Sequence, residues 1–396
     1  MTACSGGATG APSAALTLRL SSGRVAHAGA SALHQPILKT TAVPSSRATF
    51  LRVAEALAIG AGGGLIFNYF GLPAGFLSGA MLAVAIMALA GRPLTMPQPL
   101  MHVMTCTLGI TLGSAMTPEM MHGMTAYPLS LTMLGLGTAA VTLGSMLYLK
   151  YVHGWTALSA LLGATPGALS QMVAMALETR SDQVGVAIVQ TLRVVLLAVF
   201  LPMTLAMAGL SVSGPGMSRL AVADMSSLPL LIGVSVASGY LFHRMKFPGG
   251  WLFGAMVGSG ALHAFGIVRG GLPIWVINIA MIGIGSMVGT RFATIGLRAF
   301  MQYLAAGIGS LMVALVIMAV FLLLTVWLGG VRVQDAAMAF APGAMDVMMA
   351  VALTLQLDPV FVGAHHLFRF IGVSLTMPLV VRTVMPKTKE IPENEI

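Results

Sequence analysis

The sequence predicts an all-α polytopic membrane protein made of two homologous repeats, and three observations carry that expectation. Of 396 residues, 57% are hydrophobic and only 8% are charged, against about 25% charged in soluble domains. So few charges cannot cover a water-facing surface, so lipid must be the solvent for most of the chain. Apolar runs of about 20 residues, the length of a spanning helix, follow one another, and the alternating strands of a β-barrel are missing. Finally, part of the chain is written twice. Residues 165–202, opening TPGALSQMVAMALE, align without a gap on residues 341–378, opening APGAMDVMMAVALT, at an offset of 176 with 12 identities in 38 positions. Pro166/Pro342, Gly167/Gly343, Asp182/Asp358, Arg193/Arg369 and Pro202/Pro378 all match. Chance in an apolar chain repeats alanine and valine, not rare polar and helix-breaking residues in register. Duplicated membrane units usually move something across the bilayer.

Taken in order, residues 1–46 are rich in Ala, Ser, Thr and Gly, with Arg19, Arg24 and Lys39 but no acid. The stretch Ala14–Leu20 is too short for a signal-peptide core. The segment is expected to be a disordered tail or a start assigned too early, although its composition is also that of a transit peptide. Repeat 1 spans 47–209, with apolar segments near 49–70, 73–91, 97–116, 128–149, 155–178 and 183–209. A Gly/Ser-rich linker follows at 210–225. Repeat 2 spans 226–383, with segments near 226–243, 248–267, 272–291, 300–328, 334–355 and 359–382. Residues 384–396 form a cytoplasmic tail. Upstream echoes extend the duplication: LPAGFLSGAM (72–81) matches FPGGWLFGAM (247–256), and Gly109/Gly113 match Gly285/Gly289.

Charge decides how the halves are related. If all six segments of each half crossed, Arg244, Lys246, Arg291 and Arg298 would face outward, opposite to Arg92 and Lys150. If the Pro-Gly segments 155–178 and 334–355 are re-entrant, each half crosses five times and the halves are inverted. Nearly all Lys and Arg then fall inside, leaving only Arg219, Arg269 and Arg332 outside. The positive-inside rule favours this arrangement: about ten crossings, two re-entrant hairpins and both termini cytoplasmic.

The Pro-Gly motifs are the first candidates for chemistry. Proline cannot continue a helix interior and glycine tolerates unusual backbone angles. The chain is expected to break at Pro166-Gly167 and Pro342-Gly343, starting new helices whose free N–H groups can bind anions; an ordinary proline kink is the plainer alternative. Ser170 and Asp346 occupy equivalent positions just beyond, followed by Gln171 and Val347. A lone carboxylate there either receives a coupling proton or cation, or caps a solvated hairpin tip. Arg193 and Arg369 lie 11 residues past the matched aspartates, about 16 Å along a helix and so near the middle of a roughly 30 Å hydrocarbon core. They read as a pair of guanidiniums clamping an anionic solute, or as structural ion-pair partners of Asp346 or Glu178. His365 and His366 lie within a turn of Arg369, with Gln190 the counterpart of His366; they suit proton transfer or hydrogen-bonded packing.

Other features are plainer. The GxxxG spacings at Gly75/Gly79, Gly250/Gly254, Gly109/Gly113 and Gly285/Gly289 signal close helix packing. The 31 methionines are dispersed and suit gap filling. Cys4 and Cys106 form no metal pair. His102, His122, His153, His243 and His263 stand singly, so no metal site and no cofactor is expected. The net charge of +9 is scattered singly, which argues against direct nucleic-acid binding. No ATP-binding or serine-hydrolase motif occurs, and no catalytic residue is expected.

LPAGFLSGAM, TLGITLGSAM, LLGATPGALSQMVAMALE and AFAPGAMDVMMAVAL together give the chain a resemblance to the AbrB family of bacterial membrane proteins, over roughly residues 50–385. The resemblance implies two copies of one membrane domain in the inner membrane of Gram-negative bacteria and their relatives. Labels in that family range from regulator of gene expression to ammonia monooxygenase to transporter. Nothing here has the small β-rich form of the unrelated soluble DNA-binding regulator that shares the name, and no metal-ligand cluster supports the monooxygenase label.

The leading expectation is a secondary transporter or exporter rather than an enzyme. A small anionic or polar solute would bind at Pro166, Gly167, Ser170, Gln171, Arg193, Pro342, Gly343, Asp346, His366 and Arg369. Its surroundings are the lipid bilayer, and a homo-oligomer is compatible with it. A membrane-embedded sensor acting on gene expression through a partner is the alternative.

Overall fold

The computed structural model describes residues 46–115, 127–167, 169–210, 223–224 and 226–384. The expected N-terminal tail, most of the linker and the C-terminal tail lie outside the described residues, as do Cys4, His122, Arg219, Lys387 and Lys389. The described residues form fourteen α-helices and one 3-10 turn, without strands.

The first half gives α1 (Ser46–Tyr69), α2 (Gly75–Leu89), α3 (Gln98–Ser114), α4 (Tyr127–His153), α5 (Ala157–Ala164), α6 (Leu169–Glu178) and α7 (Gln183–Met207). The second gives α8 (Leu228–Arg244), α9 (Gly250–Ala264), α10 (Ile274–Thr290), the 3-10 turn Arg291–Thr294, α11 (Leu297–Gly329), α12 (Val333–Phe340), α13 (Met345–Thr354) and α14 (Pro359–Val384). Shifting α3, α5 and α6 by 176 residues lands on the bounds of α10, α12 and α13, and shifting α2 by 175 lands on α9. Left-handed backbone recurs at the same offsets: Ala74 with Gly249, Gly154 with Gly330, and Arg180 with Gln356.

Among the described residues six helices are long and apolar enough to cross a bilayer: α1, α4, α7, α10 with its 3-10 turn, α11 and α14. The remaining apolar segments form shorter helices. α2 and α9 have 15 residues each and α3 and α8 have 17, so they span about 22–26 Å.

The helices sort into two bundles, each drawing on both halves. α1–α3 and α8–α10 form one; α4–α7 and α11–α14 form the other. In the first bundle two GxxxG faces stay within their own half, Gly79 against Gly63 of α1 and Gly254 against Gly239 of α8, and two meet the other half. Gly109 and Gly113 of α3 lie against the Leu252 and Met256 carbonyls of α9; Gly285 and Gly289 of α10 lie against the Leu77 and Met81 carbonyls of α2. A Cβ on Gly113 would stand 2.5 Å from the Met256 oxygen, so only glycine permits this backbone approach. In the second bundle α4 and α11 run antiparallel: Gly137 faces Met318 and Phe321, Gly144 faces Ile317, and Ser145 Oγ donates to the Ser310 carbonyl at 3.2 Å.

Candidate functional site

Each half interrupts one helix at its Pro-Gly pair. α5 closes with Thr165, whose N–H and Oγ1 both donate to the Leu161 carbonyl (3.1 and 2.7 Å); Pro166 then has no N–H to continue the ladder. Gly167 has φ of 124°, a backbone that L side chains rarely adopt. In the second half Ala341 N–H donates to Ala337 and Gly343 N–H to Ala341. α13 then begins behind Ala344, which offers no side-chain cap.

Both interrupted pairs fold back on themselves. The Asp182 N–H, just past α6, donates to Ser159 Oγ in the first turn of α5 at 3.1 Å; the Asp358 N–H, just past α13, donates to Asp335 Oδ1 in the first turn of α12 at 3.1 Å. Run in line, the 18 helical residues of such a pair would separate these points by about 27 Å. The same aspartates then cap the next helices: Asp182 Oδ1 accepts from Gly185 at 2.9 Å, and Asp358 Oδ1 from Val360 and Phe361 at 2.9 and 3.1 Å. Tyr303 of α11 donates to Asp182 Oδ2 at 2.5 Å. Tyr127, 176 residues earlier, packs on Phe361, and its hydroxyl is buried without a partner.

The two arginines serve the breaks. Arg193 Nη2 donates to the Gly163 and Ala164 carbonyls at 3.0 and 3.1 Å. Arg369 donates from Nη1 to Ala341 at 2.8 Å, and from Nη2 to Gly343 at 3.2 Å and to His366 Nδ1 at 2.7 Å. Gln190 Nε2 donates to the Leu162 carbonyl and His366 Nε2 to its equivalent, Met338, at 2.8 and 3.1 Å. Because Nδ1 of His366 accepts from the guanidinium, its ring proton sits on Nε2. The last carbonyls of a helix have no partner within it and carry partial negative charge; a guanidinium on the neighbouring helix satisfies both requirements. Arg193 and Arg369 are 2% and 3% exposed and lie within electrostatic reach of each other.

The structure thus gathers Pro166, Gly167 and Arg193 at one break and Pro342, Gly343, His366 and Arg369 at the other. Neither arginine belongs to the described ion pairs, Arg92–Glu55 at 3.2 Å and Arg332–Asp335 at 2.6 Å. Ser170 is exposed. Gln171 Nε2 donates to the Ser374 carbonyl at 3.2 Å, tying α6 to α14. Asp346, in the first turn of α13, lies within electrostatic reach of Arg291, whose Nη1 is buried without a partner. His365 bonds the Phe361 carbonyl and Ser130 Oγ, and its ring centroid lies 6.2 Å from that of Phe340, which closes α12. Sequence reasoning missed Arg291, Ser159, Asp335 and Tyr303. Of these only Tyr303 left a signal, its match to Tyr127 at the repeat offset.

Apolar helices folded back at paired breaks define a polytopic helical membrane protein. The family model described as "Transition state regulatory protein AbrB" matches residues 76–385, more than half of the chain, and the chain belongs to the AbrB family. It is similar to "Uncharacterized protein YhjN" of Bacillus subtilis strain 168, 22% identical over 81% of this chain and 90% of that protein. It is also similar to "Putative regulator AbrB" of Escherichia coli strain K12, 24% identical over 79% of this chain and 90% of that one. No solved structure matches the chain.

Proposed function

We propose that the protein is a secondary transporter or exporter of a small anionic or polar solute in the bacterial inner membrane. In this reading the two halves are inverted copies with ten crossings, the two Pro-Gly pairs are re-entrant hairpins and the termini are cytoplasmic. The observation that carries it is the pair of interrupted, folded-back helices whose breaks hold two buried guanidiniums within electrostatic reach of each other. The antiparallel packing of the equivalent helices α4 and α11 supports the inversion. A solute's negative group would meet the guanidinium pair and the first turn of α13, which has no side-chain cap. Ser170, Gln171, Asp346 and His366 would supply further polar contacts or carry a coupling proton.

A thermal-unfolding screen of purified protein with carboxylates, amino acids and inorganic anions tests this, with Arg193→Gln and Arg369→Gln as comparisons. A solute that binds the folded state raises the melting temperature by mass action. A shift in the wild type that both variants lose supports the site; protein that binds and moves no solute in a broad proteoliposome panel refutes the reading. The name of the Escherichia coli relative favours a second reading, a membrane-embedded regulator acting through a partner. Stoichiometric co-purification of a cytoplasmic protein, with no solute flux, would select it. Stoichiometric copper or iron in the purified protein would instead select the monooxygenase label.

A further inference from the structure

The two halves are equivalent in backbone but are not used equivalently. α13 packs on α3 and α10 of the first bundle, and α7 packs on α2 and α10. Their counterparts α6 and α14 are less covered: Leu177 is 58% exposed where Leu353 is 5%, and Phe368 is 43% exposed where Leu192 is 5%. The contacts that do exist are out of register. On one side Ser78 of α2 donates to the Ala198 carbonyl of α7 at 2.9 Å. On the other, the position matching Ser78 is Phe253 of α9, and it meets α14 at Gly363, whereas the residue matching Ala198 is Ser374. The difference is 11 residues, about 16 Å along a helix, an upper figure because the phenyl ring reaches further than a serine. A second bundle displaced bodily along the first, with α7 and α14 antiparallel, produces this offset.

Where α13 docks, Thr354 and Gln356 of its closing turn, with Asn68, Phe76 and Asn278 of the first bundle, wall an open crevice of about 370 Å³. The repeat offsets place a counterpart at the other end of the first bundle: Asn68 becomes His243, Phe76 becomes Trp251 and Asn278 becomes His102. These three side chains form one cluster, with ring centroids 5.0 Å apart for the two histidines and 5.3 and 5.6 Å from each to the indole. The turn residues matching Thr354 and Gln356 are Glu178 and Arg180, and both are exposed.

We infer that the His102–His243–Trp251 cluster is the docking site for the Glu178–Arg180 turn in a second state of the molecule, reached when the second bundle slides and the hairpins exchange roles. The chemistry is complementary. The Glu178 carboxylate can accept from imidazole N–H groups, and Arg180, held in the same left-handed backbone as Gln356, can lie over the indole face. The inference rests on the transport reading for its purpose, but not for its test.

Four cysteine pairs, in a background without Cys4 and Cys106, read the register in membranes by cross-linking with a short bis-thiol reagent, because the Phe253 contact is made by its ring and not by Cβ. Ser78→Cys with Ala198→Cys, and Phe253→Cys with Gly363→Cys, report the state described here. Ser78→Cys with Ala187→Cys, and Phe253→Cys with Ser374→Cys, report the exchanged one. The reagent bridges a side-chain length, and each pair of one set differs from its counterpart by 11 residues, up to about 16 Å along a helix, so one static arrangement does not link both sets equally. Both sets are expected to link, and Glu178→Gln is expected to lower the Phe253/Ser374 yield severalfold while sparing Phe253/Gly363. Links confined to the first set, or exchanged-state yields indifferent to Glu178→Gln, overturn the inference. Should a cysteine variant fail to fold, the other pair of its set carries the same comparison. Exchange without solute flux would defeat the transport reading and leave the docking site; flux without the second set of links would do the reverse.

Discussion

Replacing Arg369 with leucine tests whether the guanidinium is part of the fold. The substitution leaves the Ala341 and Gly343 carbonyls and His366 Nδ1 without the donor each now has. An unsatisfied buried acceptor costs roughly 1–3 kcal/mol, so three cost roughly 3–9 kcal/mol. Removing the guanidinium also relieves its own desolvation, which is several kcal/mol for a buried ion. The net expectation therefore lies at the lower end, about 3 kcal/mol, or roughly a 6 °C fall in melting temperature at about 2 °C per kcal/mol for a chain of this size. Arg193→Leu orphans two carbonyls and should cost about two thirds as much. The assay is thermal unfolding of purified protein in detergent, followed by tryptophan fluorescence. An Arg369→Leu protein that melts with or above the wild type would refute the capping argument. The guanidinium would then be a buried charge kept for something other than the fold.

Three further expectations use the same unfolding assay. Tyr303→Phe removes a hydroxyl that donates to a carboxylate and should cost roughly 1.5–3 kcal/mol; Tyr127→Phe, at the equivalent position, removes a buried hydroxyl without a partner and should be neutral or stabilising. Gly113→Ala should severely reduce folded yield, because its Cβ would meet backbone at 2.5 Å, whereas Gly62→Ala, with nothing within 4 Å, should gain about 0.5–1 kcal/mol from helix propensity. Asp335→Ala should destabilise the second hairpin by roughly 2–4 kcal/mol, since it breaks both the Arg332 contact and the bond from the Asp358 N–H.

The helix breaks were legible because proline and glycine act on the backbone locally. The close approach of the GxxxG faces was legible for the same reason, although their partners were not: nothing near Gly109 indicates that it meets Leu252 rather than its own half. The arginines were legible as unusual and misleading as to partner. Their spacing placed them at membrane depth and suggested carboxylates, whereas the nearest acceptors are carbonyls freed by the break some thirty residues earlier in the chain. That pairing exists only once the hairpin has folded back. Ser159 and Asp335 escaped notice because they share no chemistry except the ability to accept one N–H, and sequence identity does not record an acceptor.

What the two halves keep and what they vary separates scaffold from specialisation. The kept features are those that hold the break: the proline, the capping aspartate, the donor to the Leu162 or Met338 carbonyl, and the arginine. Each satisfies a backbone group that either half must satisfy, whichever way it faces. The varied features lie on surfaces one half offers to the other. Asp346 replaces Ser170, Arg291 replaces Ala115, and the His102–His243–Trp251 cluster replaces an asparagine pair and a phenylalanine. One end of the first bundle is therefore amide-lined and the other imidazole-lined. On the inference that both ends serve as docking sites, these linings give the two arrangements different free energies, and a shift between them can be driven by whatever binds one better than the other.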